Sequence, residues 1–124
     1  MSLVSVVDDD VSVRKSLNRL MRSAGHDVNV FSSAEEFLDS TNGHKPNCLI
    51  LDVRLPGISG IDLHRQLLAR QYNVPVIFIT AHGSDEAARS EATSDWTVAY
   101  LIKPFGGDEL LDAVDAALRL NPAQ

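Results

Sequence analysis

Short apolar runs and amphipathic segments alternate five times along this chain, and that alternation leaves few folds open. The runs are LVSVV (3–7), DVNVF (27–31), CLIL (48–51), PVIFIT (75–80) and TVAYLI (97–102). Each has the length of a strand, and LVSVV is β-branched as strands favour. CLIL lacks polar alternation, as expected for a strand covered on both faces, and PVIFIT is the most apolar of the five. DVNVF alternates, as a half-buried or edge strand would. Between the runs, Val13, Leu17, Leu20, Met21 and Ala24 recur at helical spacing, and Gly25 stands where a helix stops. Ser33–Glu36 and Ser59–Asp62 have capping spacing ahead of Phe37–Leu38 and of Ile61, Leu67 and Leu68. Residues 84–93 predict a polar, alanine-rich helix, and residues 108–120 an amphipathic one carrying Leu110, Leu111, Val114, Ala117 and Leu118. Strands and helices in strict alternation predict an α/β fold on a parallel sheet. The 124 residues suit a single domain over 1–124, without repeat, linker or low-complexity tract.

The composition excludes several function classes. A net charge of −6 repels phosphate backbones, so direct nucleic-acid contact is not expected. Cys48 is the one cysteine, which rules out an intrachain disulfide and suits a reducing compartment; it opens an apolar run and reads as a core residue. The first residues lack the pattern of a signal peptide, and no apolar run is long enough to span a bilayer. A soluble, cytoplasmic protein without a membrane partner is expected.

The chemistry-bearing residues stand where the strands end. In an open parallel sheet, ligands bind at the carboxyl ends of the strands, where strand order reverses. Asp8, Asp9 and Asp10 follow the first run, Asp52 ends the third, Thr80 the fourth, and Lys103 follows the fifth. If the first, third, fourth and fifth strands are neighbours, these residues meet at one edge. Adjacent unit charges near a surface repel by about 1 to 4 kcal/mol, so consecutive aspartates need a reason. Helix capping is one, and Asp10 suits it. A divalent ion is another: Mg2+ takes oxygen ligands, typically one or two carboxylates plus waters and a substrate phosphate. Lys103 would then offset phosphoryl charge, and the Thr80 hydroxyl would donate to a phosphoryl oxygen. A carboxylate can itself be the nucleophile that forms an aspartyl phosphate, and Asp52, the single acid ending a buried strand, is the best placed. Taken one at a time, Lys103 reads as a solvated lysine and Thr80 as an ordinary strand residue; their joint position argues otherwise. The four histidines share no metal-ligand spacing and read as surface residues.

VVDDD, LDVRLPGISG, VIFITAHG and KPF, in that order, make the chain resemble a receiver domain of two-component response regulators over residues 3–119. VRKSLNRLMRSAG, VFSSAEEFL and RLPGISG are similar to the branch of nitrogen-fixation and nodulation regulators. The resemblance implies a doubly wound, flavodoxin-like (βα)5 fold with strand order 2-1-3-4-5, one receiver domain over residues 1–124. It implies Asp52 as phosphoacceptor, and Mg2+ held by Asp8, Asp9, Asp52 and the main-chain carbonyl of Arg54. Thr80 and Lys103 would contact the phosphoryl group, Thr80 and Tyr100 would form the switch, and Lys103-Pro104 would be a cis peptide. A histidine kinase would be the phosphodonor. The domain would catalyse only its own phosphotransfer and autodephosphorylation, and would dimerise or release an output on phosphorylation. In that branch a DNA-binding output domain follows for transcription control; here the sequence runs to NPAQ soon after the last predicted helix.

EATSDWTVAY (91–100) departs from the family pattern: the usual glycine is missing, Trp96 is present, and the stretch from Thr80 to Lys103 is one residue longer. Ala87, Ala88 and Ala92 bury little area, so the helix over 84–93 would be weakly held. Trp96 reads as a local packing anchor. Two other functions compete. A phosphorylation-independent interaction module would use the altered segment as its surface, but the complete acid set argues against it. A haloacid-dehalogenase-type hydrolase would need an acid two residues after the nucleophile, where this chain has Arg54.

Overall fold

The computed structural model describes residues 2–40, 43, 45–81 and 96–120. Five strands form one parallel sheet in the order β2-β1-β3-β4-β5, the predicted doubly wound arrangement. They are β1 (Leu3–Val7), β2 (Asp27–Phe31), β3 (Cys48–Asp52), β4 (Val76–Thr80) and β5 (Thr97–Ile102). The described helices are α1 (Val11–Ser23), α2 (Ala34–Asp39), α3 (Gly60–Ala69) and α4 (Gly107–Leu120). The helix predicted over 84–93 lies outside the described residues, as do His44, His82 and residues 91–95.

Alternation along the strands decides which helix covers which face. Val4, Val6, Cys48, Ile50, Ile77, Ile79 and Leu101 pack with Leu17 and Met21 of α1 and with Leu110, Val114 and Ala117 of α4. Val7, Leu49, Leu51, Val76 and Phe78 point the other way, onto Phe37 of α2 and Ile61, Leu63 and Leu67 of α3. Every residue of β3 and β4 is buried, which is why neither alternates in sequence. β2 is the free edge beside β1, as its alternation predicts. Cys48 is fully buried, and burial pushes its thiol up to about 12, so it is core and not nucleophile.

The helix starts follow the capping signals. The Asp10 carboxylate accepts the Ser12 N–H at 2.8 Å, Ser33 Oγ the Glu36 N–H at 3.0 Å, and Ser59 Oγ the Asp62 N–H at 3.1 Å. Glu36 reaches back to the N–H of Ser32, at 2.7 Å, one residue before the usual capping-box donor.

The structure corrects one expectation. His64 is not a surface residue: it is 1% exposed on α3, edge-on to Phe78 at 5.4 Å, with Nε2 3.4 Å from Thr97 Oγ1. The start of β5 accounts for part of the unusual segment before it. Trp96 is half-buried with φ 71°, a conformation that favours glycine, and its carbonyl accepts the Val76 N–H at 2.7 Å. Val76 pairs with Thr97 but Ile77 with Ala99, so Val98 is an extra residue in a β-bulge.

Candidate active site at the carboxyl edge of the sheet

The register aligns the strand ends. Val7 lies beside Leu51, Asp52 beside Ile79, and Thr80 beside Ile102. The next residue of each ladder is therefore carried to the same edge. The Asp8 N–H donates to the Phe31 carbonyl at 3.1 Å, and the Lys103 N–H to the Thr80 carbonyl at 2.7 Å. Asp8, Asp9, Asp52 and Lys103, which are far apart in sequence, meet there. Carboxylate oxygens of Asp8, Asp9 and Asp52 lie within 4.8 Å of one another; Asp8 and Asp52 are buried and Asp9 is exposed.

The Lys103 ammonium is shared by two of the acids. Nζ lies 2.9 Å from Asp8 Oδ2 and 3.4 Å from Asp52 Oδ2. The remaining oxygens are held by main-chain donors: Asp8 Oδ1 accepts the Asp10 N–H at 2.8 Å, and Asp52 Oδ1 the Arg54 N–H at 3.0 Å. Burial raises the Asp52 carboxyl to about 6; the Arg54 N–H opposes this, nearby Asp8 adds to it, and Lys103 offsets it. Burial pulls the Lys103 ammonium down, but its hydrogen bond to Asp8 and the charges of Asp52 and Asp8 outweigh burial and leave its pKa raised. Three carboxylates gather beside the Lys103 ammonium, so the cluster carries an excess of negative charge. Its donors are all hard oxygens, the set a magnesium ion takes.

Thr80 is fully buried at the end of β4. Tyr100 lies outside the acid cluster, half-buried opposite Phe78 and packed against the α2–α3 side of the core. Thr80 follows Phe78 by two residues, so Thr80 and Tyr100 belong to the same face of the sheet. The Lys103-Pro104 peptide is cis, as the sequence resemblance implies. A cavity of about 510 Å3 runs along β1 and β2, from Leu3 and Asp27 to Phe31, and is bordered also by Phe37, Lys45 and Tyr72; none of the clustered acids lines it.

Three supporting contacts were not legible in the sequence. The Arg14 guanidinium donates to the main-chain carbonyl of Asp8 at 2.8 Å. Glu35 of α2 accepts the Ile58 N–H at 3.3 Å and lies against Gly57, whose φ is 74°. The start of α3 presses Gly60 onto the Asp52 main chain so closely that a Cβ there would overlap the Asp52 carbonyl oxygen. Position gave the one available clue: Arg14 is a cation in a helix's first turn, the end that disfavours it.

The family model described as "Response regulator receiver domain" matches residues 4–115. Nodulation protein W from Bradyrhizobium diazoefficiens is 48% identical over 116 residues, covering 94% of this chain and 51% of that protein. Among solved structures, full-length FixJ from B. japonicum superposes with a TM-score of 0.89 at 37% identity, covering 98% of this chain and 60% of that one. The response regulator protein TrrA from Thermotoga maritima, crystallised in complex with Mg2+ and BeF, gives a TM-score of 0.83 at 27% identity, covering 95% of this chain and 100% of that one. The chain spans about half the length of the curated relatives it matches. Among the described residues, no helix is long and apolar enough to cross a membrane.

Proposed function

The chain belongs to the response regulator receiver domain family, a phosphorylation-activated switch, and from that premise we propose that Asp52 is its phosphoacceptor and a histidine kinase its phosphodonor. The observation that carries this reading is the shared ammonium of Lys103, placed between Asp8 and Asp52 where charge must be balanced. Asp8, Asp9, Asp52 and the Arg54 carbonyl would hold Mg2+, in keeping with the hard-oxygen donor set and with the ion in the TrrA complex. When bound, the ion supplies charge neutralisation for the acids and the incoming phosphoryl oxygens.

The protein's own residues do the rest. The Asp52 carboxylate attacks phosphorus; the P–N bond of the phosphohistidine breaks, and its electron pair returns to the imidazole. Arg54 N–H holds one Asp52 oxygen and so orients the other for attack. Lys103 turns its donors from the carboxylates to the added phosphoryl oxygens. The Thr80 hydroxyl donates to one of those oxygens, and the movement passes along the shared face to Tyr100. The domain catalyses only this transfer and its own dephosphorylation. It acts in the cytoplasm as a single receiver unit over residues 1–124. Its output is self-association or control of a transcription-regulating domain in a longer protein, rather than direct nucleic-acid contact.

Mass spectrometry after incubation with acetyl phosphate and Mg2+ tests the assignment. One phosphoryl mass is expected on the parent and none on Asp52→Asn. Equal labelling of both would move the acceptor elsewhere, and labelling of neither would return the interaction-module reading.

A further inference from the structure

We infer that Arg14 is a positioning residue for the acidic pair Asp8–Asp9, and that it sets the affinity of the pocket for a divalent cation. The inference rests on the reading of Asp8, Asp9 and Asp52 as a magnesium site. Arg14 is the fourth residue of α1, whose first turn carries no acid to offset it. A cation there faces the positive end of the helix, so its place needs a compensating contact. The contact is the hydrogen bond from Nη1 to the Asp8 carbonyl, 2.8 Å long and partly buried. The other polar groups of Asp8 are already engaged: its N–H with Phe31, Oδ1 with Asp10 and Oδ2 with Lys103. The carbonyl belongs to the peptide joining Asp8 to Asp9. Holding it fixes the plane of that peptide, and the plane decides where Asp9 leaves the chain. Asp8 is locked by burial, whereas Asp9 is exposed and depends on that plane.

The two ways Arg14 can act on a cation have opposite signs. As a bare positive charge it would repel the ion, and its removal would tighten binding. As a clamp on the Asp8–Asp9 peptide it preorganises the ligands, and its removal weakens binding; groups that orient metal ligands are typically worth about tenfold or more in affinity. Isothermal titration calorimetry with MgCl2 on the parent, Arg14→Ala and Arg14→Lys decides between them, with melting curves in EDTA recording stability separately. The expected result is a dissociation constant raised about tenfold in Arg14→Ala. A smaller rise is expected in Arg14→Lys, which keeps the charge but loses the planar fork. Tighter binding by Arg14→Ala would overturn the inference, as would an unchanged constant with only a lowered melting temperature. Should Arg14→Ala not fold, Arg14→Lys decides alone: about threefold weaker binding supports the clamp, and parental binding overturns it. A parent that takes up no Mg2+ would instead sink the metal reading, and this inference with it.

Discussion

Asp52 and Lys103 hold opposite positions in the energetics of the site. The folded pKa of Asp52, about 6, lies above its ordinary value of 3.8. Between those values the folded state keeps a proton that the unfolded chain has lost. The stability this group contributes is therefore fully present below 3.8 and is lost as pH rises through about 6. Asp52→Asn should then stabilise the metal-free protein at pH 7.5, by about 1–2 kcal/mol once solvent screening is allowed for, and the gain should vanish near pH 4; urea titrations at both values check this. Lys103→Met has the reverse effect. It strands Asp8, which is 0% exposed, without its cation. Breaking a buried pair by removing one partner costs about 3 kcal/mol. Mg2+ should recover part of that loss, because the ion supplies the missing positive charge, and the same titration with and without MgCl2 reads it.

At the scale of elements, the site depends on how closely α3 and the loop before it approach the end of β3. Gly60 has no room for a methyl group against the Asp52 carbonyl. Gly60→Ala should cost about 1–3 kcal/mol by displacing backbone, and should slow labelling by acetyl phosphate because the displaced atom belongs to Asp52, the proposed acceptor. Gly106, with nothing within 4 Å of an added Cβ, is the control. Gly106 precedes α4 and its carbonyl accepts the Leu110 N–H, so Gly106→Ala should cost only the difference between glycine and alanine at a helix cap, about 0.5–1 kcal/mol, and leave labelling unaffected. The helix caps at Asp10, Ser33 and Ser59 were readable because capping is local chemistry. The burial of His64 was not, since its neighbours Phe78 and Thr97 come from other elements. The bulge at Val98 was not legible either, since it depends on the pairing of β5 with β4.

For the whole molecule, the proposed cation binding would be linked to folding, because the acids gather only in the folded chain. A ligand that binds only the native state stabilises it by about 2.7 kcal/mol at a hundred times its dissociation constant. Melting temperature should therefore climb with MgCl2 concentration. The climb should be smaller for Asp52→Asn, which removes one of the three converging carboxylates. A melting temperature indifferent to MgCl2 would contradict the proposed site.

The sequence by itself determined the layered α/β fold and pointed to Asp8, Asp9, Asp52 and Lys103 as residues of one sheet edge. Periodicity, caps and strand-end residues are properties of neighbouring positions, and the motifs VVDDD, LDVRLPGISG and KPF carry the family resemblance in short pieces. Only the tertiary structure decided that one ammonium serves two carboxylates, that Asp52 is pushed up by burial, that Arg14 donates to the Asp8 carbonyl and that Gly60 lies against the Asp52 main chain. Those features depend on distances between segments far apart in the chain and on the removal of water between them, and both come into being only when the sheet and its helices pack.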